Sequence, residues 1–278
     1  MLSTVNKEQD AISRPGPAVP TGSLAGDYDP AKFGMARIVH RREVAANLWV
    51  IRITTDFALS FRPGQHAVFG LYVDGRLVEH AYSMCSAPDE DEIELFIERL
   101  PEGRLTVPLH GLGVGADIPI RRQCQGVFLK EGLTETSRRL FVATVTGVAP
   151  FVSLIRSLRH LSATSGWRPD GQVVLLHGAS FSHELGYLDE LRHLDQQLDW
   201  LTYIPTVSRP WGDADWSGEM GRVEDLVRKY ADKSDIRPGR ATVHACGHPE
   251  MIRNVRAIML RAGFDDAFIH EEPYVSEE

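Results

Sequence analysis

The sequence predicts two domains of different class: an antiparallel β-barrel followed by an α/β domain built on a parallel sheet. Between about residues 32 and 124, short β-type runs are separated by turn signals such as Arg62-Pro63-Gly64 and Asp74-Gly75. From about residue 139, apolar strands alternate with stretches of helical spacing. This alternation of strands and helices is typical of a parallel sheet with helices packed on it.

The barrel is predicted from β-type runs at even spacing, because a closed barrel also removes exposed sheet edges. We assign it to residues 31–130, and we interpret the Pro-rich residues 1–30 as a mobile N-terminal tail. The six runs are Met35–Val44, Asn47–Thr55, His66–Val73, Leu77–Met84, Glu92–Leu100 and Asp117–Gln123.

The α/β domain is assigned to residues 131–278, and a parallel sheet binds its ligands at the carboxyl ends of its strands. Helices are expected to begin near Ala149, Ser182, Arg222 and Pro249. The predicted strands are Arg139–Thr144, Gln172–His177, Leu201–Val207 and Ala241–Cys246.

Composition excludes several functional classes. A net charge of −8 argues against a general nucleic-acid binder, and no apolar run reaches the roughly 20 residues that span a bilayer. The first 30 residues lack the apolar stretch of a secretory signal. The cysteines Cys85, Cys124 and Cys246 are far apart in sequence, so we expect no local metal cluster and a reducing, cytoplasmic location. The sequence does not define the oligomeric state, and a monomer is slightly favoured.

A strand-to-helix turn carries the first functional signal. It runs over Thr144, Val145, Thr146, Gly147, Val148, Ala149 and Pro150. Such a turn presents backbone N–H groups and the positive end of a helix dipole, which suit a phosphate or pyrophosphate. From this stretch alone, an ordinary turn of a parallel sheet is an open alternative.

Two further motifs lie at either side of this turn. His80-Ala81-Tyr82-Ser83 follows Phe61-Arg62-Pro63-Gly64-Gln65 upstream, and Cys246-Gly247-His248-Pro249-Glu250-Met251 lies downstream. In this order and spacing the three motifs resemble the ferredoxin–NADP(+) reductase family, bacterial subclass, over roughly residues 32–275. The resemblance implies an oxidoreductase that exchanges electrons between NADP(H) and a ferredoxin or flavodoxin. Hydride transfer at FAD N5 would be followed by one-electron steps.

The resemblance also implies an FAD site. Tyr82, followed by Ser83 and Met84, would pack on the isoalloxazine, and the Ser83 hydroxyl would hydrogen-bond to N5. Gly103, Leu105 and Thr106 lie in the segment that would hold the pyrophosphate, although a plain turn with a helix cap is the alternative. His80 stands where the family usually has Arg, and Arg99 on the neighbouring predicted strand could supply the missing charge.

For the nicotinamide nucleotide, the resemblance implies binding by the turn from Thr144 to Pro150 and by Gly247, Pro249 and Met251. Cys246 would lie near the nicotinamide as a positioning group. Ser208, Arg209 and Arg222 would contact the 2′-phosphate, with solvated surface cations as the alternative for the arginines. Val145 replaces a family glycine. A β-branched residue does not readily adopt positive φ, so we expect this turn to be less sharp than the family's turn.

Tyr274 matches the terminal aromatic that covers the flavin in the bacterial subclass, and a frayed terminal residue is the alternative. Because ferredoxins are usually acidic, a local basic face is also expected, with Arg41, Arg42, Arg62, Arg121 and Arg122 as candidates. Two rival functions remain open. One is an NADH-linked reductase of an oxygenase ferredoxin. The other is a non-catalytic flavin-binding electron-transfer or regulatory subunit, suggested by the joint departures at His80, Val145 and Ser180.

Overall fold

The computed structural model describes residues 28–129, 138–169 and 171–274. Most of the predicted tail, and the predicted domain boundary at residue 130, lie outside these residues. Within the three described ranges, no helix combines the length and the apolar character needed to cross a membrane.

The first part of the fold is an antiparallel barrel of six strands, in which the fourth strand along the chain lies at one edge of the sheet and the fifth at the other. A bridge between Met84 and Leu95 brings the two outer strands together, and the apolar interior includes Trp49, Phe69 and Leu95. All six predicted strands are confirmed. They are β1 Phe33–Ala45, β2 Leu48–Thr55, β3 His66–Val73, β4 Arg76–Ser83, β5 Ile93–Glu98 and β6 Asp117–Arg121, with the short helix α1 Thr106–His110 before β6.

Residues 28–30, which composition assigns to the tail, pack against this barrel instead. The Tyr28 hydroxyl donates to the Gly70 carbonyl at 3.3 Å, and its ring lies 5.1 Å from that of Tyr72. An aromatic side chain gains enough apolar contact here to order the chain just before β1.

The second part is a six-stranded parallel sheet with helices on both faces and strand order β10-β9-β8-β7-β11-β12. Helices α2 and α3 contribute to the apolar cluster that also contains barrel residues such as Val50 and Phe96, whereas α4 and α5 cover the other face. The elements are β7 Arg138–Thr144, α2 Ala149–Ser165, β8 Val173–Ala179, α3 Leu188–Gln197, β9 Leu201–Val207, β10 Glu219–Met220, α4 Val223–Lys233, β11 Ala241–Gly247, α5 Pro249–Arg261 and β12 Ile269–Pro273.

Two features of this sheet differ from prediction. Near Ser182, where a helix is expected, Ser182–Glu184 forms a single 3₁₀ turn, and the α-helix begins at Leu188. The Glu184 carboxylate accepts from the Ser180 and Phe181 N–H groups and holds this turn. A strand that the sequence does not predict, β12 Ile269–Pro273, pairs with β11. Its sequence, Ile-His-Glu-Glu-Pro, lacks an apolar pattern, so only pairing with β11 reveals the strand.

A charge cluster centred on the poorly exposed Arg156 and Glu94 joins the barrel to α2. Arg156 forms two 2.7 Å hydrogen bonds with Glu190, and its guanidinium lies 3.0 Å from Glu94 Oε1 on β5. Arg52 Nε and the Tyr187 hydroxyl also donate to Glu94, at 2.8 and 2.9 Å. On the same helix, the Ser153 hydroxyl donates to the Ser86 carbonyl at 2.7 Å. Helix α2, which follows the phosphate-type turn, is therefore fastened to the segment that follows β4.

Candidate active site

The site lies where the strand order of the parallel sheet reverses, between β7 and β11. Two glycines lie at the carboxyl ends of these strands, Gly147 in the turn after β7 and Gly247 as the last residue of β11, and both allow close backbone approach. A Cβ on Gly147 would lie 2.2 Å from the Cys246 carbonyl oxygen, and one on Gly247, where φ is +128°, would lie 2.2 Å from Thr144 Oγ1. The crevice at such a reversal is where open α/β sheets bind nucleotides.

We expect Gly147→Ala to lower the free energy of unfolding by about 1–3 kcal/mol, because the added methyl meets backbone rather than a movable side chain. The matched control is Gly113→Ala, since a Cβ there has no neighbour within 4 Å. Chemical denaturation of both variants checks the expectation. Equal stabilities would mean that the two loops are not held in contact.

The turn at Val145 corrects a prediction. Val145 has φ of +47°, so the sharp left-handed turn is retained although the residue is β-branched. Such a backbone costs about 1–3 kcal/mol, and a neighbouring group must hold it. His177 Nε2 donates to the Val145 carbonyl at 2.9 Å, while the Tyr203 hydroxyl lies 3.1 Å from Nδ1. Burial, partly opposed by the Val145 hydrogen bond, lowers the pKa of His177 to about 4, so the ring is neutral.

A carboxylate missed by the sequence analysis joins the two domains. Glu272 on β12 accepts from the Ser83 hydroxyl at 3.3 Å, and the Cys246 thiol lies 3.8 Å from the same oxygen. Its other oxygen lies 3.8 Å from His66 Nδ1 on β3. The expected flavin serine and the expected nicotinamide cysteine thus converge on one side chain.

Cys246 and Tyr274 lie together beside this carboxylate. Burial, followed by the Glu272 charge, raises the pKa of the Cys246 thiol well above its usual range, so the group is a protonated thiol and not a nucleophile. Burial likewise raises the pKa of Tyr274, whose phenol is hydrogen-bonded to the Thr146 side chain. The Tyr274 N–H donates to the Gly247 carbonyl at 3.0 Å. The aromatic is therefore packed onto the nucleotide loops and is not frayed.

The predicted FAD residues line the β4–β5 side of the barrel. Tyr82 lies with its ring 5.6 Å from Phe69 and 6.4 Å from His80. The Met84–Leu95 bridge joins the segment just after β4 to β5, and Arg99 lies just past the end of β5. Arg99 is exposed, which suits the compensating role expected for it.

The predicted pyrophosphate turn is tightly built. A Cβ on Gly103 would lie 2.1 Å from Thr106 Oγ1, and that oxygen accepts from the Leu100 N–H at 3.2 Å. Two backbone donors of the turn are already used, since the Gly103 N–H donates to the Leu100 carbonyl and the Val107 N–H donates to the Gly103 carbonyl, both at 3.1 Å. The donors that the turn can offer a ligand are the N–H groups between these two, such as those of Leu105 and Thr106 at the start of α1.

The residues predicted to contact the 2′-phosphate lie just after the carboxyl end of β9 and just before the first residue of α4. Ser208 follows β9, and the exposed Arg209 places its guanidinium 5.8 Å from the centre of the Phe181 ring. Arg222, exposed at the start of α4, lies 3.7 Å from both Glu224 and Glu250. The two arginines differ in their surroundings, since Arg222 lies near two carboxylates whereas Arg209 lies near an aromatic ring.

Several predicted cofactor-binding residues are buried. Their side chains are apolar or, at the two glycines, absent, so these residues can offer a ligand little beyond backbone atoms. They are Met84, Leu105, Gly147, Val148, Ala149, Pro150, Gly247 and Met251. Thr144 is also occupied, because its hydroxyl accepts from the His248 N–H at 2.8 Å, next to Pro249 at the start of α5.

Sequence reasoning missed Glu272, His66 and His177. A glutamate two residues before Tyr274 is visible in the sequence, but nothing in its surroundings distinguishes it from Glu271. The register between β11 and β12 distinguishes the two glutamates, because it pairs Glu272 with Cys246.

The comparisons with known proteins agree with this arrangement. Residues 35–126 match the family model of the oxidoreductase FAD-binding domain, and residues 141–257 match that of the oxidoreductase NAD-binding domain. Ferredoxin–NADP reductase B of Sorangium cellulosum is 34% identical over 225 residues, covering 78% of this chain and 86% of that protein. The Azotobacter vinelandii ferredoxin–NADP reductase is 30% identical, covering 74% and 80% of the two chains.

A solved structure shares the fold. The ferredoxin NADP⁺ reductase of Neisseria gonorrhoeae, with bound FAD and NADP, superposes with a TM-score of 0.74 at 23% identity, covering 87% of this chain and 98% of that one. Barrel, parallel sheet and converging site define a two-domain flavoprotein oxidoreductase that uses a nicotinamide nucleotide. The chain belongs to the ferredoxin–NADP reductase family.

Proposed function

We propose that the protein exchanges electrons between NADP(H) and a ferredoxin or flavodoxin. The observation that carries the proposal is the convergence of Ser83 from the barrel with Cys246 and Glu272 from the parallel sheet. One group from each expected cofactor site is thereby held next to the other. The relatives from Sorangium, Azotobacter and Escherichia coli bear names of this activity.

The residues of the β4–β5 side fit FAD. Ser83 presents a hydroxyl beside the domain junction, and the turn from Gly103 to Thr106 presents backbone donors for a pyrophosphate. Tyr82 offers an aromatic face, while His80 and Arg99 offer donors in place of the usual arginine. When bound, FAD supplies the chemistry of accepting a hydride and releasing electrons one at a time.

The crevice between β7 and β11 fits the nicotinamide nucleotide. Gly147 and Gly247 let the loops at the ends of β7 and β11 lie against each other, and the turn before α2 presents N–H groups at a helix start. Cys246 would position the nicotinamide ring. Tyr274, packed on Thr146 at the same crevice, would cover the flavin and move aside for the nicotinamide.

For coenzyme choice, we expect Arg209→Ala to weaken NADPH binding by about 1.5–3 kcal/mol and to leave NADH nearly unaffected. The reason is that a guanidinium contacts the 2′-phosphate that only NADPH carries. Steady-state KM values for both coenzymes are the measurement. Arg228→Ala is the control, since Arg228 is an exposed arginine on α4 that pairs with Asp232. Equal losses with both coenzymes would make Arg209 a structural residue.

The partner surface is narrower than the sequence suggests. Arg41 and Arg121 are engaged with Glu43 and Glu79, and Arg122 donates to the Pro30 carbonyl. Arg42 and Arg62 are exposed, so we place the partner contact near them. A cytoplasmic location is proposed because Cys85, Cys124 and Cys246 are all free thiols.

The test is turnover by the purified holoprotein with NADPH and a bacterial ferredoxin or flavodoxin, with NADH as the comparison. We expect acceptor reduction that is faster with NADPH and that slows as salt is added. Turnover only with NADH would favour the oxygenase-linked reductase. Bound FAD without any turnover would favour a non-catalytic subunit.

A further inference from the structure

We propose that Glu250 and Glu224 determine how strongly the site prefers NADP(H) to NAD(H). Glu250 competes with the 2′-phosphate for Arg222, whereas Glu224 holds this arginine in place. The inference rests on the proposed function and deepens it. Arg222 Nη1 lies 3.7 Å from Glu224 Oε1 and 3.7 Å from Glu250 Oε1. One guanidinium thus has two carboxylate neighbours at equal distance, one on α4 and one on α5.

The two helices that carry these carboxylates both begin beside Thr144, where the phosphate-type turn starts. The His248 N–H donates to the Thr144 hydroxyl at 2.8 Å, which puts the start of α5 next to the turn. On β8, Gly178 is the register partner of Thr144, and a Cβ on Gly178 would lie 2.7 Å from Val223 Cβ at the start of α4. The two helix starts therefore meet at the nucleotide crevice.

The position of Arg222 along the sheet indicates which part of the coenzyme it meets. The proposed reacting end lies at Cys246 on β11, so the rest of the coenzyme extends over the turn after β7 towards the end of β8. Arg209 lies there, since its N–H donates to the Ser180 carbonyl just after β8 at 3.0 Å. Arg222 precedes the helix that packs on the end of β8. Both arginines are thus on the adenosine side, where NADP(H) and NAD(H) differ.

The two carboxylates differ in burial. The Glu224 side chain is 7% exposed, and its Oε1 also accepts from Asn254 Nδ2 at 3.2 Å. The side chains of Glu250 and Arg222 are 51% and 61% exposed. If Arg222 left Glu224, the buried carboxylate would keep an amide in place of its counter-charge, and a buried charge without its partner is costly. Leaving Glu250 costs little, because water replaces an exposed ion pair.

These costs decide how Arg222 responds to the coenzyme. A phosphate monoester carries roughly two negative charges at neutral pH and three acceptor oxygens, so it attracts a guanidinium more strongly than one carboxylate does. Arg222 therefore exchanges Glu250 for the phosphate and keeps Glu224. The exchange subtracts from the affinity for NADP(H). NAD(H) has no phosphate at this place, so it leaves the contact between Arg222 and Glu250 intact.

The experiment is isothermal titration calorimetry of the FAD-loaded protein with NADP⁺ and with NAD⁺, which differ only in the 2′-phosphate. We expect Glu250→Gln to tighten NADP⁺ binding by about 2- to 5-fold, the gain from removing an exposed competing pair, and to leave the Kd for NAD⁺ unchanged. Glu224→Gln removes the same charge at the same distance from Arg222. It should weaken NADP⁺ binding by a similar factor, because Glu250 alone then holds the arginine.

Two further variants complete the test. In an Arg222→Ala background, Glu250→Gln should have no effect, since the competition has lost its object. Asp232→Asn is the control for net charge, because Asp232 is a carboxylate on α4 that pairs with Arg228 at 2.9 Å. It should change neither Kd.

An unchanged NADP⁺ Kd in Glu250→Gln, or a gain that persists in Arg222→Ala, would overturn the competition. Equal tightening in Glu250→Gln and Glu224→Gln would show that both act only through their charge, which contradicts the role of Glu224. The proposed function is judged separately, by acceptor reduction in the unaltered protein. NADP⁺ binding without acceptor reduction would contradict that function, whereas the roles of the two carboxylates would still be decided by the Kd values.

Discussion

Replacing Arg156 by methionine is expected to lower the free energy of unfolding by about 3 kcal/mol, the low end of the range for breaking a buried ion pair. The substitution leaves Glu94 buried without its main counter-charge, although Arg52 Nε at 2.8 Å still compensates in part. Denaturant unfolding followed by tryptophan fluorescence measures the loss. The control is Arg168→Met, which removes a 2.7 Å pair with Asp199 whose two side chains are 70% and 72% exposed. That exposed pair is expected to contribute under 1 kcal/mol.

The Arg156 prediction also has a pH signature. Burial alone raises the pKa of Glu94, but the Arg156 charge and the hydrogen bonds from Arg52 and Tyr187 outweigh it, so the net shift is downward. A carboxyl whose pKa is lower in the folded state stabilises the fold above its unfolded pKa, and this stabilisation is lost as pH falls through the folded pKa. We therefore expect the gap between wild type and Arg156→Met to narrow on acidification. If Arg156→Met lost no more unfolding free energy than Arg168→Met, or if the stability difference from wild type did not change with pH, the stabilising role of the Arg156–Glu94 pair would be contradicted.

Replacing Ser83 by alanine is expected to slow hydride transfer by about 10²–10³-fold, the usual cost of deleting one preorganised donor at a reacting atom. Ser83 Oγ is held by Glu272 at the junction of the two domains, so alanine removes both the donor and this link. Stopped-flow flavin reduction by NADPH measures the rate, and FAD content and melting temperature confirm that the protein is intact. Ser165→Ala, which removes a hydroxyl bonded to the Leu161 carbonyl at the end of α2, is the control. Reduction at the wild-type rate in Ser83→Ala would exclude Ser83 from the reaction.

The six barrel strands and the four inner strands of the parallel sheet could be predicted because their signals are local. Alternation, turn residues and apolar runs are properties of neighbouring positions. The phosphate-type turn before α2 was visible for the same reason, since Pro150 and the small residues around it stand next to each other. The positions at which His80 and Val145 differ from the family motifs were also visible, because each lies inside a motif whose other residues match.

Tertiary structure alone decided how these departures are accommodated. Val145 keeps a left-handed backbone because His177, 32 positions along the chain, holds its carbonyl. β12 exists because its backbone pairs with β11, although its own residues carry no strand pattern. Sequence by itself determined the family and the order of barrel and parallel sheet, and it predicted the cofactor motifs. The junction of Ser83, Cys246, Glu272 and His66 could be found only from the tertiary structure, because these residues come from four strands of two sheets. Their contacts depend on strand register and packing and not on residues that are adjacent in sequence.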